Sequence, residues 1–88
     1  MKLKTLIDSI EYLEIKNGDE KTLESVEISS VEFHSKKVKK GTLFVAIKGY
    51  RVDGHDFIKD AVESGAVAVI VEDFVEEDIL QIKVKNSR

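Results

Sequence analysis

The sequence predicts a small three-layer α/β domain, with a mostly parallel or mixed sheet and helices on both faces. Two apolar runs, residues 43–47 and 66–71, show no alternation of polar and apolar side chains. Such runs are typical of strands that are covered on both faces. Between them lies a segment with apolar residues at helical spacing. Strand, helix and strand in this order form a βαβ unit with parallel strands and a right-handed crossover.

An N-terminal helix is predicted to cover the other face of this sheet. Leu3, Leu6, Ile10 and Leu13 recur at intervals of three and four residues, which indicates a short amphipathic helix. Parallel strands need cover on both faces, so we expect this helix to lie opposite the crossover helix. Residues 17–20 then predict a polar turn.

The stretch before the first apolar run changes its apolar face. Val26 and Ile28 alternate with a glutamate, and so do Val31 and Phe33, but the two pairs have opposite parity. A continuous strand cannot do this without a bulge or a bend. We therefore expect a bend at residues 29–30.

The crossover helix carries signals at both of its ends. Asp53 and Asp56 have the spacing of a capping arrangement for a helix that begins near His55. Gly65 stands where a left-handed C-terminal cap belongs. A final strand is predicted within residues 79–84, with its register open.

Composition excludes several kinds of protein. The 88 residues predict one domain over residues 1–88. The absence of cysteine excludes disulfides, thiolate metal sites and cysteine nucleophiles. A net charge of −3 gives no reason to expect nucleic acid or an anionic membrane as a partner. No signal peptide or membrane span is recognisable, so we expect a cytoplasmic protein. We also expect a monomer.

Two loops are candidates for a binding site. Residues 33–36 and 48–54 leave the carboxyl ends of predicted strands, where open α/β sheets bind ligands. Both loops carry hydroxyl and cationic groups, and Tyr50 offers a flat surface for a base. The second loop also leads into a helix N-terminus, whose free amides favour an anion. This set suits a phosphate-bearing ligand with a base, while a merely solvated lysine-rich surface is the alternative interpretation.

Several sequence motifs of the chain resemble those of a known protein family. Residues 38–58 read VKKGTLFVAIKGYRVDGHDFI, and this stretch resembles the N-terminal domain of bacterial Mur ligases, above all the MurE type. The family pattern has a strand ending in Asp-Ser-Arg, then V-x-x-G-D-L-F-V-A, a Gly-aromatic loop, D-G-H-x-F/Y-I and A-x-x-x-G-A-x-A-V-V-V-E. Residues 61–72 match the last phrase. The resemblance covers essentially the whole chain and is densest over residues 31–72.

The resemblance implies a function and a set of contacts. A domain of this kind binds the UDP part of a UDP-N-acetylmuramoyl-peptide. Phe33, through its backbone, and Ser35 fall on positions that contact the nucleotide. Tyr50, Arg51 and Val52 fall on the ligand-contacting triplet of the Gly-aromatic loop, where Arg51 can pair with phosphate charge.

The resemblance also implies partners that are not encoded in these residues. ATP and Mg²⁺ would belong to a central domain of the parent ligase, and a C-terminal domain would help bind the incoming amino acid. No Gly-x-x-x-x-Gly-Lys-Ser/Thr phosphate loop occurs in the sequence. We therefore expect a domain without a cofactor of its own, which holds substrate and does not catalyse ligation alone.

Two positions depart from the family pattern and keep other interpretations open. His34 replaces the usual aspartate, exchanging a fixed anion for a mostly neutral ring. Lys36 replaces the usual arginine, which keeps the charge but loses the planar fork. These changes favour a second interpretation, an excised or redesigned domain that keeps the fold without binding. An RNA-binding module is a weaker third, because interleaved aromatics and net positive charge are missing.

Overall fold

The computed structural model describes residues 1–49 and 51–87, which form one mixed β-sheet with helices on both faces. In chain order the elements are α1 (Leu3–Ile7), β1 (Glu14–Lys16), α2 (Glu20–Ser25), β2 (Ser30–Glu32), β3 (Thr42–Val45), α3 (Ile58–Glu63), β4 (Ala68–Val71) and β5 (Leu80–Lys83). Short 3-10 turns at Ser35–Lys37 and Gly54–Phe57 precede β3 and α3. The predicted fold class is confirmed.

The sheet has the strand order β1-β5-β4-β3-β2, in which β2 to β5 run parallel. The predicted βαβ unit is present, because β3 and β4 are parallel neighbours joined through α3. Strand β1 is antiparallel to β5 at the edge, with Ile15 opposite Ile82. The register of the final strand, left open by the sequence, places Ile82 opposite Ile70. All four parallel strands therefore end at the same edge of the sheet.

Side chains of the central strands alternate between two apolar clusters, one on each face. On one face Leu43 and Val45 pack with Leu3, Ile7 and Leu23 from α1 and α2. The opposite face packs against α3 in a second cluster, which includes Phe44, Ala46, Ile58 and Ala61. Every residue of β3 and β4 is buried. The three predicted layers are present, with the N-terminal helix opposite α3.

The N-terminal helix is shorter than its apolar spacing predicts. It ends at Ile7, and Leu13 is 58% exposed rather than part of a buried stripe. The Ser9 hydroxyl donates a hydrogen bond to the Leu6 carbonyl at 2.6 Å, which competes with continuation of the helix. Further on, the Leu13 amide bonds to the Lys83 carbonyl at 2.7 Å. Pairing with β5 therefore overrides the helical pattern beyond Ile7. No helix among the described residues has the length and apolar character needed to cross a membrane.

A second helix on this face was not predicted. The expected polar turn is followed at once by α2, which Asp19 caps by accepting a hydrogen bond from the Thr22 amide. The Thr22 hydroxyl accepts one from the Asp19 amide in return, which completes a capping box. Leu23 anchors the helix in the core. The signal was present in the sequence as Asp-x-x-Thr before a single buried leucine.

The predicted bend before β2 is confirmed. Val26 and Ile28 lie outside β2, which begins at Ser30, so the two apolar pairs do not share a strand. Ile28 is nevertheless buried in the cluster beneath α1 and α2. The Ser29 amide bonds to the Gly41 carbonyl at 2.9 Å, and this contact fixes the point where the chain changes face.

The predicted cap at Gly65 is also confirmed. Gly65 has a φ of 111°, a conformation that side-chain-bearing residues rarely adopt. Its amide bonds to the Val62 carbonyl, and the Ala66 amide bonds to the Ala61 carbonyl. This pair of bonds is the Schellman arrangement that satisfies the last carbonyls of a helix. A Cβ on Gly65 would lie 2.7 Å from the Cα of Lys40.

We expect Gly65→Ala to destabilise the domain by about 2 kcal/mol, because it combines a strained φ with a backbone contact. Urea unfolding followed by circular dichroism would measure the loss. Ser64→Ala is the matched control, since Ser64 is exposed and has ordinary helical dihedrals. Equal stability of the two variants would contradict this account of the cap.

Candidate functional site

A cleft of about 610 Å³ opens at the edge where the parallel strands end. It lies between the chain that follows β2 and the loop that follows β3. Its apolar lining consists of Phe33, Phe44, Ile47, Val52 and Phe57. The remaining lining residues are polar or lack a side chain, and they are His34, Ser35, Lys36, Gly49 and Gly54. An apolar cleft of this size with a few convergent polar groups is typical of a small-molecule site.

The structure brings together three of the five residues that the sequence singled out. Phe33, Ser35 and Val52 line this cleft. Arg51 is exposed and is not among the lining residues. Tyr50 lies outside the described residues. Phe57 also lines the cleft, although the sequence did not single it out as a site residue.

Ser35 is well placed to contact a ligand. It begins the 3-10 turn that follows His34, and its side chain lines the cleft. The Ser35 hydroxyl makes no hydrogen bond with any residue that the structure describes. Beside it, Phe33 is 59% exposed, which is unusual for a large aromatic side chain in a domain this small. A hydroxyl and an aromatic face are therefore both available at the mouth of the cleft.

The loop after β3 folds back on itself. The Gly54 amide donates to the Ile47 carbonyl at 2.8 Å, and the Gly49 amide donates to the Val52 carbonyl at 3.0 Å. Gly54 lies directly on the end of β3, since a Cβ there would be 2.7 Å from the Ile47 nitrogen. These contacts hold the loop from which Val52 lines the cleft.

Asp53 caps the turn that leads into α3, as the sequence predicted. Its Oδ1 accepts hydrogen bonds from the His55 amide at 2.9 Å and from the His55 Nδ1 at 2.6 Å. The His55 backbone N–H is the main reason why the pKa of Asp53 lies below its ordinary value. Asp56 forms no reciprocal side-chain bond among the described residues, so a complete capping box is absent there. The expectation of free amides for an anion is wrong, because the Asp53 carboxylate already occupies this position.

The Glu72 carboxylate, directly after β4, accepts hydrogen bonds from Ser87. Glu72 Oε2 accepts hydrogen bonds from the Ser87 hydroxyl at 2.8 Å and from the Ser87 amide at 3.2 Å. The hydroxyl contact, followed by the amide contact, holds the pKa of Glu72 below its ordinary value. Residues 85–87 border a second cleft of about 590 Å³ on the α1 side of the sheet, which Phe33 also lines. Phe33 thus stands between the two clefts.

The described charged groups at this edge form no cluster of metal ligands. Lys48 pairs with Asp73 at 3.3 Å, and this pairing raises the pKa of Lys48. Among residues 1–49 and 51–87, no group of three or more histidine, aspartate or glutamate side chains is arranged to hold a metal ion. The two histidines lie in different settings, because His34 lines the cleft while His55 is bonded to Asp53.

Comparison with known proteins assigns the family. The profile described as "Mur ligase family, catalytic domain" matches residues 27–87. The chain belongs to the Mur ligase family. It is 50% identical, over its whole length, to the UDP-N-acetylmuramoyl-L-alanyl-D-glutamate–2,6-diaminopimelate ligase 2 of Clostridium acetobutylicum, of which it covers 18%. It is 41% identical to the corresponding ligase of Bacillus cereus, over 99% of the chain and 17% of that protein. The resemblance to the MurE type is confirmed.

Solved Mur ligase structures share the fold. A MurF structure from Acinetobacter baumannii aligns with a TM-score of 0.66 at 32% identity, over 68% of this chain and 13% of that one. MurF from Thermotoga maritima, solved in complex with ADP, aligns with a TM-score of 0.58 at 41% identity, over 70% and 14% of the two chains. This Mur ligase chain thus spans less than a fifth of the length of the relatives it matches.

We expect Glu72→Gln to lower stability at neutral pH by about 0.5–1 kcal/mol, because a neutral amide accepts the two Ser87 bonds less strongly. The folded-state pKa of Glu72 lies below its ordinary 4.5, so the contribution is complete above that pH and is lost as the pH falls through the folded pKa. Urea unfolding of both proteins between pH 7 and pH 3 should show the difference shrinking on acidification.

Glu76→Gln provides the control for this measurement. Glu76 is exposed and forms no side-chain hydrogen bond with the described residues. Its variant should follow the wild-type pH profile throughout. A Glu72→Gln deficit that stays constant down to pH 3 would show that the ionised carboxylate is not what holds Ser87.

Proposed function

We propose that this chain binds the UDP part of a UDP-N-acetylmuramoyl-peptide in the cleft between Ser35 and Val52. The observation that carries the proposal is the convergence of Phe33, Ser35 and Val52 on one cleft, although they come from two separate loops. The resemblance to MurE-type ligases had assigned these same residues to nucleotide contacts. Relatives named as ligases of UDP-N-acetylmuramoyl-L-alanyl-D-glutamate make this nucleotide sugar the natural candidate ligand.

The chemistry of the cleft suits such a ligand. A pyrimidine ring presents two apolar faces and a polar edge, and the aromatic side chains of Phe33 and Phe57 offer surfaces for the faces. The unbonded Ser35 hydroxyl can donate to or accept from the edge. Lys36 lines the same cleft and supplies a positive charge for the diphosphate. Lysine in place of the family arginine still attracts phosphate, but as a point charge without a bidentate contact.

We further propose that the chain acts as the N-terminal domain of a longer ligase. In this arrangement a central domain binds ATP and Mg²⁺, and a C-terminal domain helps to bind the incoming amino acid. The short span of the relatives covered by this chain supports that view. Cytoplasmic location and a monomeric state stay predictions from the sequence. The competing proposal, a domain that keeps the fold without binding, is favoured by His34 and Lys36 and is decided by the titration below.

We expect UDP to produce saturable shifts in the amide resonances of Ser35, Gly49 and Val52 when ¹⁵N-labelled protein is titrated. Ser35→Ala should weaken UDP about fivefold, because one hydrogen bond to the ligand is lost. Lys36→Gln should weaken it by a similar factor at low salt and by less at high salt, because ions screen the exposed charge. UDP-N-acetylmuramoyl-L-alanyl-D-glutamate should bind at the same residues as UDP.

Lys21→Gln is the matched control for Lys36→Gln. Lys21 is also exposed, but it lies on α2, on the opposite face of the sheet from Phe57 and α3. Its variant should bind UDP like the wild type. An absence of shifts at millimolar UDP, or shifts confined to residues outside the cleft, would favour the domain that keeps only the fold.

We expect the 88-residue chain to release no phosphate from ATP in the presence of Mg²⁺, UDP-N-acetylmuramoyl-L-alanyl-D-glutamate and diaminopimelate, since its sequence has no phosphate loop. A coupled phosphate assay would test this directly, with the full-length Clostridium acetobutylicum relative as the positive control. Turnover by the short chain would show that its family profile, described as a catalytic domain, applies to these residues alone.

A further inference from the structure

We propose that His55 is a positioning residue for the nucleotide cleft, although it does not line it. Its Nε2 atom accepts the backbone N–H groups of Glu72 and Asp73, and this contact fixes the loop after β3 against the end of β4. The inference rests on the proposed function of the cleft. It extends that function by assigning a role to His55, the histidine of the Asp-Gly-His motif.

The ring of His55 is held from both ends. Its side chain is only 9% exposed. Nδ1 lies 2.6 Å from the Asp53 carboxylate, while Nε2 lies 3.0 Å from the Glu72 amide nitrogen and 3.3 Å from that of Asp73. Two N–H donors point at Nε2, so this atom carries a lone pair and the proton resides on Nδ1. The tautomer of the ring is thus set by its partners.

The wall of the cleft formed by the loop after β3 depends on the residue to which this ring is attached. His55 directly follows Gly54, whose amide bonds to the end of β3. It lies in the 3-10 turn Gly54–Phe57, so Phe57 is two residues further on in the same turn. Val52 enters from the other side through the Asp53 cap. A displacement of the His55 ring would thus move Val52, Gly54 and Phe57 together.

The charged groups around His55 are already engaged elsewhere. The Asp73 carboxylate pairs with Lys48 at 3.3 Å. The Glu72 carboxylate accepts the hydrogen bonds of Ser87. Neither side chain takes the place of the imidazole at the two backbone amides, so loss of Nε2 leaves these amides without their acceptor. The Glu72 N–H is part-buried, so leaving it without a partner is costly and favours a movement of the loop.

Two variants distinguish the contribution of Nε2 from that of Nδ1. Glutamine at position 55 places an amide oxygen near the position of Nε2, whereas asparagine reaches only as far as Nδ1. We expect His55→Gln to keep the UDP affinity within about threefold of the wild type, and His55→Asn to lower it at least about tenfold. Amide hydrogen exchange at Glu72 and Asp73 should accelerate in His55→Asn and stay slow in His55→Gln. A purely structural role would lower the melting temperature without this selective pattern.

The imidazole spectrum of the wild-type protein tests the same geometry without any variant. A long-range ¹H–¹⁵N correlation should show Nδ1 protonated and Nε2 unprotonated at neutral pH. A proton on Nε2 would overturn the proposal, even if both variants failed to fold. Equal UDP affinity and equal amide protection in His55→Asn and the wild type would overturn it as well.

The experiments distinguish a failure of the proposed UDP binding from a failure of the positioning role of His55. If the wild-type chain does not bind UDP, the nucleotide site is wrong, and the role of His55 is then decided by the loop itself. Shifts and faster exchange at Gly49 and Gly54 in His55→Asn, absent in His55→Gln, would support positioning. Unchanged loop amides in both variants would overturn it.

Discussion

Burial of β3 and β4 on both faces is the constraint on which the rest of the structure depends. These strands consist almost entirely of apolar residues, and all of them are buried. A strand pair of this kind cannot leave either face in water, so helices must cover both sides. Because the crossover through α3 keeps the strands parallel, their carboxyl ends meet at one edge. The candidate cleft lies at that edge as a consequence of the core.

At this edge, loop residues provide hydrogen-bond partners for the backbone groups at the ends of β3 and β4. Gly54 closes the end of β3 by a backbone bond to Ile47, and His55 closes the end of β4 through its imidazole. Buried or half-buried backbone amides need such partners, since an unmet donor is costly. The same contacts fix the loop that forms one wall of the cleft. The same few residues therefore provide hydrogen-bond partners for the strand ends and shape the candidate cleft.

The chain belongs to the Mur ligase family, although His34 and Lys36 differ from the family pattern. The two facts are compatible, because the fold and the lining of the cleft depend on different residues. The fold depends on the buried strands, the Gly65 cap and the Asp53 cap, and all of these are present in this chain. His34 and Lys36 instead are exposed residues that line the candidate cleft, where a change has little effect on packing. A chain can thus be 50% identical to a diaminopimelate ligase over its length and still carry different side chains in the candidate cleft.

The sequence by itself determined the βαβ unit, the bend before β2 and the caps at Asp53 and Gly65, because periodicity and backbone sterics act over a few neighbouring residues. Only the tertiary structure decided where α1 ends, since pairing of Leu13 with Lys83 joins residues far apart in the chain. The same holds for the cleft, which gathers Ser35 and Val52 but not Arg51. It holds for His55, whose partners at Glu72 and Asp73 follow it by 17 and 18 residues. Contacts of this range depend on how the layers pack, and no local pattern encodes them.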